Sequence, residues 1–133
     1  QQVSFQRDGV EIARYYYGPD LRRPFLFPIL GPSGRLLTRM GHPHDPEGHS
    51  HHNSVWISHN DVNGVSFWSD RGEGRVVHQR IERLDDGAEA AALLTANAWT
   101  AGAPSPEAIE RIWKVFARSE MRPPMNADRR RQE

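Results

Sequence analysis

The sequence feature that most constrains the fold is an alternation of apolar and polar residues on both sides of a tight turn. Residues 3–6 and 10–13 alternate in this way, and Asp8-Gly9 between them is a favoured two-residue hairpin turn. Successive side chains of a strand point to opposite faces of a sheet, so this pattern predicts an antiparallel hairpin with one buried face. We therefore expect the first half of the chain to build sheets.

Further segments have the composition of strands. Residues 25–30 are apolar on both faces, which predicts a buried strand. Pro28 within it lacks a backbone donor, which places it at a sheet edge or a bulge. Along residues 75–84 the apolar side chains are expected on one face and His78 on the opposite, polar face. The other predicted strands are residues 35–39, 54–59, 65–68 and 88–99.

The last third of the chain has a different character. Ser105-Pro106-Glu107 combines an N-cap residue, a proline at the first helical position and an acidic first turn. Apolar residues then recur at helical spacing, which predicts an amphipathic helix over residues 104–120. A disordered basic tail is predicted over residues 121–133. The predicted fold is mainly β, a partial antiparallel β-sandwich over residues 1–103 with one C-terminal amphipathic helix.

Composition excludes several classes of function. Seventeen Lys and Arg residues balance seventeen Asp and Glu residues, so the net charge predicts no nucleic acid partner. The chain has no cysteine, which excludes disulfides, thiolate zinc sites and a cysteine nucleophile. No apolar run is long enough to span a membrane, and no apolar signal core follows Gln1, so a soluble cytoplasmic protein is expected. Exposed strand edges would favour a homo-oligomer.

Histidine is the most informative residue type. Six of the seven histidines lie within eighteen positions, namely His42, His44, His49, His51, His52 and His59. The predicted loop over residues 40–53, which we call the histidine loop, contains five of them. Imidazole is a common metal ligand and titrates near neutral pH, so this loop could form a zinc or copper site or an acid–base pair. The spacing matches no established metal signature. An ordinary polar surface loop is therefore an equal alternative.

Within this loop, spacing separates the candidates. His49 and His51 can share one face of an extended segment, whereas His52 would point to the other face. His49 and His51 are thus the first candidates for catalysis or, together with His59, for binding a divalent metal.

Two further polar residues follow His59. Asp61 and Asn63 precede Gly64, and such residues more often form a tight turn than bind a ligand. On the functional interpretation, Asp61 orients an imidazole and Asn63 hydrogen-bonds a hydroxyl group.

The aromatic residues admit two interpretations. They alternate with polar residues, which predicts that they fill the core of the sandwich. An exposed tryptophan could instead stack on a sugar ring. The residues concerned are Phe27, Trp56, Phe67 and Trp68.

Several blocks of the sequence resemble the PmoA-like family, whose members carry the label methane oxygenase PmoA. The strongest are His49-Ser50-His51-His52-Asn53-Ser54-Val55-Trp56 and His59-Asn60-Asp61-Val62-Asn63-Gly64-Val65-Ser66-Phe67-Trp68. Shorter blocks extend the resemblance over roughly residues 15–100. The resemblance implies half of a galactose-mutarotase-type sandwich and an association with sugar catabolism. Family members are longer and continue with strands beyond Trp99, which makes a truncated gene product an alternative.

These observations predict a carbohydrate-associated β-sandwich whose histidine-rich loop binds a sugar-like small molecule or a metal. On this hypothesis the catalytic residues are His49, His51, His59 and Asp61, and the substrate contacts are His52, Asn63 and His78. A bound divalent metal, zinc or copper, would be held by His49, His51 and His59. The alternatives are a non-catalytic binding or structural module and a remnant of a longer gene. A metal-dependent oxygenase, as the family label suggests, ranks below these.

Overall fold

The structure is a computed structural model that describes residues 1–102 and the backbone of residues 126–128. Its elements are all strands: β1 (Gln2–Arg7), β2 (Val10–Tyr16), β3 (Phe25–Ile29), β4 (Gly74–Asp86), β5 (Ala91–Ala101) and β6 (Asn126–Asp128). Within the described residues there is no helix, and every strand pairing is antiparallel. The prediction of a mainly β, antiparallel fold is confirmed.

The C-terminal predictions fall almost entirely outside the described residues. The helix over residues 104–120 is among them, as is most of the tail over residues 121–133. The exception is β6, which pairs with β1 where a disordered tail was predicted. Among the described residues, no helix is long and apolar enough to cross a membrane.

The strands form two sheets, one in the order β3-β2-β1-β6 and the other a long hairpin of β4 and β5. The β1–β2 hairpin turns at Asp8 and Gly9, whose φ angles are 52° and 77°. Two consecutive positive φ angles are typical of the tight turn that suits the twist of paired strands, so this prediction is confirmed.

The core lies between the two sheets. Val3, Phe5 and Tyr15 of the first sheet are buried, each with at most 9% of its surface exposed. Ile81 and Leu93 of the second sheet pack against them. Burial of this apolar surface is the main term that holds the two layers together.

Pro28 lies where the sequence predicts. Strand β3 is at the end of its sheet, and its register against β2 shifts between Ala13 and Tyr15. Because an edge strand has a row of backbone groups outside the ladder, a residue without an N–H is tolerated there.

Three predicted strands are wrong. Residues 35–39, 54–59 and 65–68 make only isolated bridges: Leu30 with Leu36, Leu26 with Val55, and Val62 with Val65. Ser54 has a φ of 63°, which breaks an extended backbone at the start of the second segment. The chain between β3 and β4 is therefore one long connection, residues 30–73, which we call the β3–β4 connection.

Strand β4 also corrects a prediction. Its register against β5 shifts between His78 and Arg80 and again between Ile81 and Arg83, so the simple alternation of faces is lost. His78 is half-buried rather than on a polar face, with its ring centroid 4.4 Å from that of Tyr17 and 6.3 Å from that of Tyr15. The strand predicted over residues 88–99 is present as β5.

Candidate functional site

The candidate site is a cleft of about 300 Å³ in the β3–β4 connection. Its lining comes from three stretches of that connection and contains two indoles, one imidazole, one guanidinium and two hydroxyl groups. The lining residues are Thr38, Arg39, His52, Ser54, Trp56 and Trp68. Concave sites that combine aromatic walls with a few polar groups are typical of small-molecule binding.

Two tryptophans form the aromatic part of the cleft. The ring centroids of Trp56 and Trp68 are 5.4 Å apart, with an interplanar angle of 51°. Trp68 has 42% of its surface exposed, so the prediction that it fills the core is wrong. The neighbouring Phe67 takes the buried position instead and packs on Trp99, with 4.8 Å between ring centroids. The prediction of a core position is therefore confirmed for Phe67 and wrong for Trp68.

A buried arginine positions the Trp68 segment relative to the histidine loop. Arg23 is 2% exposed, and its Nη1 donates to Asn53 Oδ1 at 2.8 Å. Its Nη2 donates to the Trp68 carbonyl at 3.1 Å and lies 2.7 Å from Asp70 Oδ1. One guanidinium thus joins the end of the histidine loop to the segment that carries Trp68. The planar fork of an arginine is suited to holding several acceptors at fixed angles.

Sequence reasoning did not identify Arg23, Asn53 or Asp70 as site residues. Arg23 lies two residues before β3, but a single sequence does not show which of its many arginines is buried. The other lining residues, Thr38, Arg39 and Ser54, were also missed. A hydroxyl pair joins two of them, since Ser54 Oγ donates to Thr38 Oγ1 at 2.6 Å.

The loop histidines form a continuous series of ring contacts. The ring centroid of His49 lies 4.7 Å from that of His52 and 5.0 Å from that of His42. The rings of His51 and His52 are also 4.7 Å apart, although the sequence predicts opposite faces for them. The loop is a series of turns rather than an extended segment, as the His49 N–H donating to the Asp45 carbonyl shows.

The loop also links to the tryptophans. His51 lies 5.5 Å from Trp68 between ring centroids, and His52 lies 6.1 Å from Trp56. Of the histidines singled out from the sequence, His52 lines the cleft and His51 supports its aromatic wall. His49 lies behind them, 5.9 Å from His51 between ring centroids.

A carboxylate that sequence reasoning missed orients His49. Asp45 Oδ2 lies 2.8 Å from His49 Nδ1, and Asp45 Oδ1 accepts a hydrogen bond from the Gly48 N–H at 2.8 Å. The Gly48 N–H first, and then His49, lower the pKa of the Asp45 carboxyl. The carboxylate is therefore ionised at neutral pH and fixes one ring nitrogen of His49.

His52 has an electrostatic environment that disfavours its charged form. Its partial burial lowers its pKa, and repulsion from the charged forms of neighbouring basic groups lowers it further. In order of effect these groups are His51, His49, Arg39 and His42. The imidazole at the cleft is therefore neutral at pH 7 and can accept a proton or a hydrogen bond.

The segment that follows the cleft forms a tight turn. His59 Nδ1 accepts a hydrogen bond from the Asp61 N–H at 3.1 Å, and Asp61 Oδ1 accepts one from the Gly64 N–H at 2.7 Å. Asn63 and Gly64 have φ angles of 53° and 82°, so both are in the left-handed region that this turn requires. Within residues 1–102 no ring contact joins His59 to the loop histidines. The catalytic and binding roles of this segment stay predictions.

His78 does not line the cleft. Its Nδ1 lies 3.3 Å from Asn97 Oδ1 on the neighbouring strand, between the two sheets. Burial lowers the pKa of this imidazole. Its predicted contact with substrate stays a prediction.

The metal hypothesis was tested on the described side chains. Among the described side chains, those of residues 1–102, no group of three or more His, Asp or Glu residues is placed so that it could hold a metal ion. His49, His51 and His59 in particular do not converge.

Comparison with known proteins gives one match. The model of DUF6807, described as a family of unknown function, matches residues 2–122. This range includes the whole β3–β4 connection and extends past Trp99. No curated protein and no solved structure gave a significant match.

Proposed function

Since the chain belongs to DUF6807, a family of unknown function, we propose its function from the cleft itself: it binds a sugar-like small molecule against Trp68. The observation that carries this proposal is an indole ring with 42% of its surface exposed inside a concave, hydrogen-bonding site. Exposure of a large aromatic side chain to water is unfavourable, and a ligand that covers the ring lowers the free energy.

The lining is suited to the two kinds of surface that a sugar ring presents. A pyranose has faces of C–H groups, which pack on an aromatic ring, and an edge of hydroxyl groups, which need donors and acceptors. Trp68 supplies the aromatic surface. Thr38, Arg39 and His52 supply hydroxyl, guanidinium and imidazole groups along the same cleft. The PmoA-like resemblance and its sugar-catabolic context agree with this proposal.

A second candidate function is acid–base catalysis on the bound molecule, with His52 as the base. The specific observation is that His52 lines the cleft with a lowered pKa, so its neutral form is available at pH 7. His49, 4.7 Å away between ring centroids, and Asp45 behind it would support the imidazole. On this proposal, His52→Gln removes turnover of a sugar substrate and leaves its binding within about twofold.

The binding proposal is tested by titrating the protein with a panel of methyl glycosides and following ligand signals by NMR. Trp68→Ala is expected to weaken binding by about tenfold or more, which corresponds to about 1.4 kcal/mol. Trp68→Phe keeps an aromatic surface and should lose less. Val10→Ala truncates an exposed apolar side chain that does not line the cleft and serves as the control. Binding that is unchanged in Trp68→Ala, in protein that melts normally, would refute the proposal.

A further inference from the structure

The permanently charged residue that lines the cleft is a cation, Arg39. None of its six lining residues is acidic, and two of them, Arg39 and His52, are basic. Burial is the first cause that lowers the pKa of His52, and repulsion from the charged forms of His51 and His49, from Arg39 and from the charged form of His42 lowers it further. A ligand in this cleft therefore meets a positive potential that an anion would lower.

Two carboxylates of the surrounding framework have partners of their own. Asp45 accepts hydrogen bonds from His49 and the Gly48 N–H, and Asp70 pairs with Arg23. Neither of them lines the cleft. Neither of these two carboxylates forms an ion pair with Arg39.

Arg39 is the group best placed to recognise an anion. It is exposed, lines the cleft, and makes no ion pair with any carboxylate of the described residues. Five other arginines of the same part of the chain do make such pairs: Arg7, Arg14, Arg23, Arg80 and Arg83. A guanidinium can bind a carboxylate through two parallel hydrogen bonds, which gives both charge and orientation.

We infer that the cleft selects an acidic sugar, a uronate, whose ring packs on Trp68 and whose carboxylate binds Arg39. This inference rests on the proposed function and adds the chemical class of the ligand. It also explains why an exposed arginine and an exposed indole line the same cleft.

Because His52 lines the cleft, the affinity for a uronate should depend on pH. A bound carboxylate would stabilise the imidazolium of His52 and oppose the burial and the repulsion from neighbouring basic groups that disfavour it. A uronate stays ionised above about pH 4.5, so its affinity should rise as the pH falls from about 7.5 to about 5.5. The affinity of a neutral sugar has no such reason to rise.

The experiment compares matched ligand pairs that differ only at C6: methyl glucoside with methyl glucuronide, and methyl galactoside with methyl galacturonide. Acetate is the control for an anion without a ring. The uronide of a pair should bind about tenfold more tightly than the neutral glycoside. Arg39→Gln should abolish this preference, so that the uronide and the neutral glycoside of a pair bind the variant with equal affinity within about twofold. Arg35→Gln, an exposed arginine that does not line the cleft, is the matched control and should change neither.

The outcomes separate the inference from the proposed function. Equal binding of neutral glycoside and uronide, both lost in Trp68→Ala, overturns the inference and leaves sugar binding standing. Binding of acetate as tightly as uronide, unaffected by Trp68→Ala, overturns both, because the site then recognises charge alone. Failure of every glycoside and uronide to bind at millimolar concentration also overturns both. A uronide preference that survives Arg39→Gln refutes the assigned role of Arg39.

Discussion

The two packed sheets and the β3–β4 connection are held together in different ways. The sheets share their stability among ladder hydrogen bonds and a common apolar core that includes Val3, Phe5 and Tyr15. The connection has only isolated bridges, and its two arms are joined through the guanidinium of Arg23. A substitution in the core should therefore lower the stability of both sheets together. Substitution of Arg23 alone should open the β3–β4 connection locally.

The largest effect tests the sheet side of this comparison. Phe5→Ala removes a buried ring from the core and should lower the free energy of unfolding by about 3–5 kcal/mol. Urea denaturation followed by circular dichroism measures it. Val10→Ala, on an exposed position of the next strand, should stay within about 0.5 kcal/mol. Similar losses in both variants would mean that the core does not lie between the sheets as described.

The next effect tests the connection. Arg23→Ala leaves Asp70 and the Asn53 side chain without their partner and should cost about 2–3 kcal/mol, below the range for a fully buried pair because Asp70 is partly exposed. Hydrogen exchange should speed up across residues 30–73 and stay unchanged in β1 and β2, and glycoside binding should be lost.

Two further variants sharpen the Arg23 experiment. Arg23→Lys keeps the charge but cannot bind three acceptors in one plane, so it should fall between wild type and alanine. Arg7→Ala removes a partly exposed arginine whose Nε lies 3.8 Å from Asp8 Oδ2, and it should have no measurable effect. Exchange that rises equally throughout the protein in Arg23→Ala would contradict a local role.

The same division explains what the sequence allowed us to predict. Alternation and turn residues identified β1, β2, β4 and β5. In a sheet the face of each residue follows from its position along the strand, so a local sequence pattern carries this information. The position of Pro28 was predictable for the same reason. The helix over residues 104–120 lies outside the described residues and stays a prediction.

The cleft could be predicted only in part. The histidine-rich segment was identified from composition, but the contact of His51 with His52 depends on turns that spacing does not show. Trp68 and Phe67 are adjacent aromatic residues, and local pattern gave no reason to expose one and bury the other. Arg23 lies 45 residues from the Trp68 carbonyl it binds, and only the assembled fold brings them together.

A smaller effect is the pH dependence of stability that His78 produces in the interior between the sheets. Burial lowers the pKa of His78, so the folded state disfavours the charged imidazole. Stability from this residue is complete above its unfolded pKa of about 6.5 and is lost as the pH falls through its lower folded pKa. Urea denaturation of His78→Gln should therefore show a smaller loss between about pH 7.5 and about pH 5.5 than wild type. A loss equal to that of wild type would show that His78 is not desolvated between the sheets.

The smallest effect concerns Asp45, which is on the surface of the connection. Its pKa is lowered by the Gly48 N–H and by His49, so its contribution is present above the unfolded pKa and disappears as the pH falls through the lower folded pKa. The Gly48 amide signal in NMR should follow this titration below about pH 3.8 in wild type. Asp45→Asn keeps an oxygen for that N–H but does not ionise, so the signal should lose its acid titration while the unfolding midpoint of the sheets stays unchanged. Titration of the Gly48 signal at the ordinary pKa of an aspartate would show that the carboxylate is free of both partners, and His49 would then lack the group that orients it in the histidine loop.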